Sequence, residues 1–122
     1  KLVNLTEHEI TVYVGEEAVK IPPSGLTARV SPKAEIIGHI EVDGVRVPIV
    51  RTVFGEIEGL PAPAPGTVYI GSTILAQAAA RLGRTDVISP DTGPESAVRD
   101  SSGRIVGVKR FQTFADLDAF PA

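Results

Sequence analysis

Cysteine, methionine and tryptophan are absent from these 122 residues. Without cysteine there is no disulfide framework, no thiolate nucleophile and no Cys-ligated zinc or iron–sulfur site. Excess charge of one sign is lacking too: 12 Lys+Arg stand against 15 Asp+Glu, for a net charge of −3. Up to Pro61 there are 6 basic and 9 acidic residues, and beyond it 6 and 6. Neither part carries the clustered positive charge of a nucleic-acid footprint. No apolar run approaches the roughly 20 residues that cross a bilayer. No charged leader with an apolar stretch opens the sequence, so the expectation is a cytoplasmic protein without a membrane partner. Also missing are the zinc motif H-E-x-x-H, the phosphate loop G-x-x-x-x-G-K-[ST], the dinucleotide turn G-x-G-x-x-G and the nucleophile elbow G-x-S-x-G.

What is present is 43% hydrophobic and 22% charged residues, the mix of a soluble globular domain. The length suits a single domain over residues 1–122, with roughly two-thirds of the unfolded surface buried. Period-two patterns dominate the first half. Ile10, Val12 and Val14 alternate with polar neighbours, Gly15 permits a turn, and Ala18–Ile21 reads as the returning strand. Pro22-Pro23-Ser24-Gly25 is a loop, and Thr27–Val30 a short strand. Glu35–Val42 and Val45–Arg51 flank Asp43-Gly44, the strongest short-range hairpin signal, because both turn residues take positive φ. Pro48 cannot donate to a ladder, which makes the second arm an edge or a bulged strand. Thr52–Ile57 reads as a further strand with Gly55 as its bulge.

The proline-rich stretch from Gly59 to Gly66 is extended and stiff, too short for a domain linker and suited to a crossover. It leads to Thr67–Ile70, a short buried strand placed in the sheet interior. The spacing of Ile74, Ala78 and Leu82 predicts a helix over about 73–84 with those residues on its buried face. Ser72 or Thr73 is the N-cap, Gly83 a C-cap, and Arg81 and Arg84 suit the negative pole. Asp86–Ser89 reads as a short strand, Pro90–Asp100 as a loop, and Arg104–Thr113 as one final strand. Phe114, Leu117 and Phe120 have the spacing of a docked helical turn. The expected fold is α+β: a mainly antiparallel, twisted sheet or small barrel with one packed helix.

The opening Asn4-Leu5-Thr6-Glu7-His8-Glu9-Ile10 resembles the N-L-T-P-H-x-I start of a group of small bacterial and phage proteins. Phe54–Pro61, Gly66–Ile70 with its helix, and Pro90-Asp91-Thr92-Gly93-Pro94-Glu95 through Val98-Arg99-Asp100 and Arg104–Val108 agree with it. The likeness spans most of the chain, with Glu7 where proline is usual. It implies a phage or prophage origin, hence a host-cell cytoplasmic location, and carries no chemistry to transfer.

Three places have the residue types that chemistry uses. Ser72 and Thr73 open a helix, whose free amides can hold a phosphate or carboxylate; the ordinary reading is a cap. Asp91, Thr92, Glu95, Ser96, Arg99 and Asp100 crowd one stiffened loop, where Asp91 and Glu95 suit a hard cation or paired proton transfer. The ordinary readings are an Asx-turn at Asp91-Thr92-Gly93 and a surface ion pair for Arg99. Of two histidines, His8 lies between Glu7 and Glu9, which favour its protonated form, and is the preferred base; His39 sits within a strand. Neither belongs to a metal signature, and no cofactor is implied. Arg104, Lys109 and Arg110 near Phe111 form a modest basic strip, more simply a solvated face.

Three functions follow as expectations. The first is a non-catalytic accessory protein that binds a protein partner or self-assembles, motivated by the missing catalytic signatures and by edge strands open to pairing. The second is a binder of nucleotides or other phosphorylated small molecules, weakly hydrolytic at most. It requires Ser72, Thr73, Asp91, Thr92, Glu95, Arg99 and His8 to meet in one pocket. The third is nucleic-acid binding through the strand 104–111.

Overall fold

The computed structural model describes residues 1–116. In chain order these form β1 (Leu2–Asn4), β2 (Ile10–Val14), β3 (Glu17–Ile21), β4 (Pro32–Val42), β5 (Val45–Phe54), β6 (Val68–Ile70), α1 (Thr73–Arg81), β7 (Val87–Pro90), β8 (Ala97–Arg99), β9 (Ile105–Val108) and β10 (Phe111–Gln112). The fold is α+β, as composition and pattern imply. Its strands fall into three sheets and close no barrel: β1-β6-β7-β10, β3-β2-β9-β8, and the pair β4-β5.

In the first sheet β1, β6 and β7 run parallel and β10 returns antiparallel to β7. Parallel neighbours require a crossover; α1 supplies that from β6 to β7, while the path from β1 to β6 passes through β2 to β5 and ends in the proline stretch. β6 therefore lies inside the sheet, as expected. Ser72 begins α1: its Oγ accepts from the Leu75 amide at 3.1 Å. Gly83, at φ 82°, lets the chain turn away after the Leu82 cap.

The helix face differs from the one the spacing predicts. Leu75, Ala76, Ala78 and Ala79 are buried, whereas Leu82 is 72% and Ile74 38% exposed. Short alanine side chains let a nine-residue helix lie close to short parallel strands, and Leu75 supplies the bulk. Leu75, Ala76 and Ala79 join Leu5, Tyr69 and Val87 in the core. Arg84 serves no helix pole. It forms a two-pronged ion pair with Asp86 at 2.9 Å and donates to the Pro61 carbonyl at 2.9 Å, clamping the crossover to β7.

The second sheet joins β2 and β3 through a turn at Gly15 and β2 to β9 in parallel. The expected strand Arg104–Thr113 is two strands in two sheets. Ser96, fully buried, places its Oγ 3.1 Å from the Lys109 amide and 3.2 Å from that of Arg110. Held there, the chain leaves β9 and enters the first sheet as β10. The expected loop Pro90–Asp100 is likewise shorter, since β7 ends at Pro90 and β8 begins at Ala97.

The third sheet is a hairpin arm. Asp43 and Gly44 take φ 51° and 80°, the turn expected of this pair. β5 runs unbroken to Phe54, absorbing the start of the strand expected at Thr52–Ile57. Gly55 is no bulge; its amide donates to the Ser31 carbonyl at 3.0 Å. Thr27–Val30 forms no full strand, only the Arg29–Glu58 bridge, whose paired 2.8 Å hydrogen bonds close the arm's stalk. Most of the turn expected at Phe114–Ala122 lies outside the described residues. Among the described residues no helix is long and apolar enough to cross a membrane.

Candidate functional site

The opening Asn4-x-Thr6-x-His8 is a structural knot. Asn4 is buried, and its Oδ1 accepts from the Thr6 amide at 2.9 Å while Nδ2 donates to the carbonyls of His8 and Ile21 at 2.9 and 3.1 Å. The Thr6 hydroxyl lies 2.7 Å from Asn4 Oδ1 and 3.0 Å from the His8 carbonyl. What the fold takes from His8 is its carbonyl oxygen; the ring is left on an exposed residue. Asn4 was not among the candidates, although Asn-x-Thr is the signal of an Asx-turn.

Ser72 spends its oxygen on the helix cap and borders a cleft of about 230 Å³ with Leu5, Thr6, Glu7, Ala28 and Arg29. Across that cleft Arg29 Nη2 donates to Glu7 at 2.8 Å, an exposed ion pair. Thr73 Oγ1 lies 3.4 Å from Gln112 Nε2, which reaches equally far toward the Pro90 carbonyl. Asp91 makes its Asx-turn, accepting from the Gly93 amide at 2.9 Å, and binds Arg110 Nε through the other oxygen at 2.6 Å. The Arg110 hydrogen bond foremost, and the Gly93 amide after it, hold the Asp91 carboxyl below its ordinary value of 3.8. Glu95 approaches the same guanidinium at 3.5 Å. Thr92 is exposed, and Arg99, on β8, donates to the Gly103 carbonyl at 2.6 Å.

The structure thus brings Ser72 to the β1–β2 loop and Asp91 and Glu95 to Arg110. The lining of the Ser72 cleft includes none of Asp91, Thr92, Glu95 and Arg99. The basic strip does not form as drawn: Arg104 precedes β9, while Arg110 follows it and is neutralised by two carboxylates.

The surface that stands out is the arm. In an antiparallel pair, directly opposed residues share a face. Val42–Val45, Ile40–Val47 and Gly38–Ile49 oppose one another, so from Gly38 to the turn one face carries no charge. Its side chains are 49% (Val42), 62% (Val45), 50% (Ile40), 38% (Val47) and 39% (Ile49) exposed. The other face there carries Glu41–Arg46 and His39–Pro48. A bulge between Ile36 and Gly38 exchanges the two patterns. Nearer the stalk the first face holds Glu35–Arg51 and Lys33, and the second holds Ile36–Val50 and Pro32–Phe54. At the base this second face meets α1, where the Arg81 guanidinium lies 4.9 Å over the Phe54 ring. A groove of about 650 Å³ runs there between Phe54, Ile74, Arg81 and Phe114.

Both edges of the arm resist strand addition. Hydrogen-bonded and open pairs alternate from Val42–Val45, which closes the two-residue turn, so His39–Pro48 is an open pair. The Pro48 nitrogen, without a proton, therefore faces the free edge of β5, and the bulge interrupts that of β4. No family model, curated protein or solved structure matches the chain.

Proposed function

We propose that the protein is a non-catalytic accessory protein that binds through its hairpin arm, either to a protein partner or to itself. One observation carries this reading: the arm's outer half has a charge-free face of five half-exposed Val and Ile side chains. A lone two-stranded hairpin is marginal in water, and contiguous exposed apolar surface marks interaction sites. The residues offered for chemistry support it from the other side, since Ser72, Asp91 and Arg99 are each committed to a turn, cap or ion pair. The resemblance of the opening block supports a phage or prophage setting and action in the host cytoplasm.

The test compares the tagged protein with Val47→Lys in extracts of its source cell, by affinity recovery and light scattering. The unaltered protein is expected in a species heavier than its own 12.8 kDa, with the Lys variant folded but released from it. Identical mass and composition for the two overturn the proposal.

A further inference from the structure

We infer that the groove at the base of the arm is the seat of the chain's own segment 117–122, with Leu117 and Phe120 entering it beside Phe114. The inference concerns how the arm is tied to the helix and does not depend on what the arm's outer half binds.

The groove is lined by Pro32, Thr52 and Phe54 from β4 and β5 and by Ile74, Gln77 and Arg81 from α1. Ile74, Gln77 and Arg81 are spaced by three and four and so form one stripe of the helix. That stripe is apart from the one buried on the first sheet, which Leu75, Ala76 and Ala79 supply. The helix therefore has a second flank with an apolar residue on it, turned toward the arm.

The course of the chain brings an occupant to that flank. Phe114 is itself part of the groove's lining. Leu117 follows three residues later and so lies within about 11 Å of it, and Phe120 follows at the same interval. These two are the large aliphatic and aromatic side chains of the segment, and the groove offers Phe54, Ile74 and Phe114 to them.

Charge agrees with this seat. Arg29, Arg51, Arg84 and Arg110 each have a carboxylate partner. The Arg81 guanidinium rests over the Phe54 ring and has no such partner among the described residues. Asp116 and Asp118 stand on either side of Leu117, so seating Leu117 in the groove brings a carboxylate within reach of Arg81. Attachment decides between this segment and a separate molecule. A tethered segment faces the groove at an effective concentration of the order of millimolar, so a contact too small to retain a free partner is enough to hold it.

Nuclear Overhauser spectroscopy on the isotope-labelled full chain tests the inference. Cross-peaks are expected from the Leu117 methyls and the Phe120 ring to the methyls of Ile74 and Ala80, which also lines the groove. The double variant Leu117→Ser, Phe120→Ser should lose them. In that variant the Phe54 and Arg81 amides should exchange faster with solvent, while those of β2 keep their protection. An unaltered chain without these cross-peaks overturns the inference, as does a double variant whose Phe54 and Arg81 amides exchange as before. A mixture of labelled and unlabelled chains identifies the source of the segment. Cross-peaks that join two different chains would place the segment of one copy in the groove of another, which also overturns it.

Discussion

Arg110 Nε donates to Asp91 Oδ2 at 2.6 Å, joining the turn that follows β7 to the residue at which the chain changes sheets. Nineteen residues separate the two, and the contact closes the loop between the sheets. Arg110 in turn also reaches Glu95, so one guanidinium gathers both carboxylates that the sequence offers for cation binding or proton transfer.

Asp91→Asn should therefore show a pH-dependent effect on stability. The carboxyl titrates lower in the folded chain than its ordinary 3.8, so the folded state favours the ionised form. The contribution is full above that ordinary value and is lost as pH falls through the lower folded value. Thermal denaturation across an acid series should show a constant gap between wild type and Asp91→Asn near neutrality. The gap should close in acid below 3.8. Asp100, whose Oδ1 receives Ser102 Oγ and the Ser102 and Arg104 amides, is held low mainly by Ser102 and should behave alike when changed to Asn. A gap that persists undiminished in strong acid contradicts the pairing.

Ser96→Ala should destabilise the chain by about 1–3 kcal/mol, the cost of an unsatisfied buried donor. The Lys109 amide keeps the Ser96 carbonyl at 2.9 Å, but the Arg110 amide loses its hydroxyl acceptor. Hydrogen exchange locates the damage: protection at Arg110 should fall, while that in α1 is kept until global unfolding.

What was legible in the sequence is what neighbouring residues decide. The Asp43-Gly44 turn, the Ser72 cap and the stiff proline crossover each depend on a few adjacent side chains, and all three are found. The division of Arg104–Thr113 depends on Ser96, thirteen residues before Lys109, and alternation runs through the break undisturbed. The helix face failed for a related reason. Ile74, Ala78 and Leu82, spaced by four, look like a buried stripe, yet Leu75, Ala76 and Ala79 beside Ala78 are what face the sheet. The arm misleads most. Its Val and Ile alternate as core strands do although they are exposed, and the bulge at Ile36/Gly38, invisible to periodicity, shifts the pattern of β4 to the other face nearer the stalk. For Ser72 and Asp91 the ordinary readings, cap and Asx-turn, are those the structure holds.

Arg84→Lys should destabilise more than an exposed charge change would. The Arg84 and Asp86 side chains are only 19% and 16% exposed, and the guanidinium fork serves Asp86 and the Pro61 carbonyl at once. Lysine keeps the charge and loses the fork. A loss of about 1–2 kcal/mol is expected in chemical denaturation, against under about 0.5 kcal/mol for Arg51→Lys in the exposed pair with Glu35. Equal effects for the two would mean that the crossover is held by its prolines alone.

Gly59 and Gly38 should respond very differently to the same substitution. Gly59 sits at the arm's stalk with φ 83°, and a Cβ there would run into the Thr27 carbonyl oxygen. Alanine would meet both the left-handed backbone penalty, about 1–3 kcal/mol, and a collision with main chain that cannot swing aside. Since Arg29 and Glu58 bridge the stalk one residue away, relief of that collision must open the bridge and loosen the arm's attachment to the Ile57 and Leu60 side chains at the core. Gly38→Ala meets neither penalty and should change stability by less than about 0.5 kcal/mol. Denaturation of the two variants under identical conditions decides it. A mild Gly59→Ala would show that the stalk yields, and a costly Gly38→Ala would show that the bulge beside it depends on glycine.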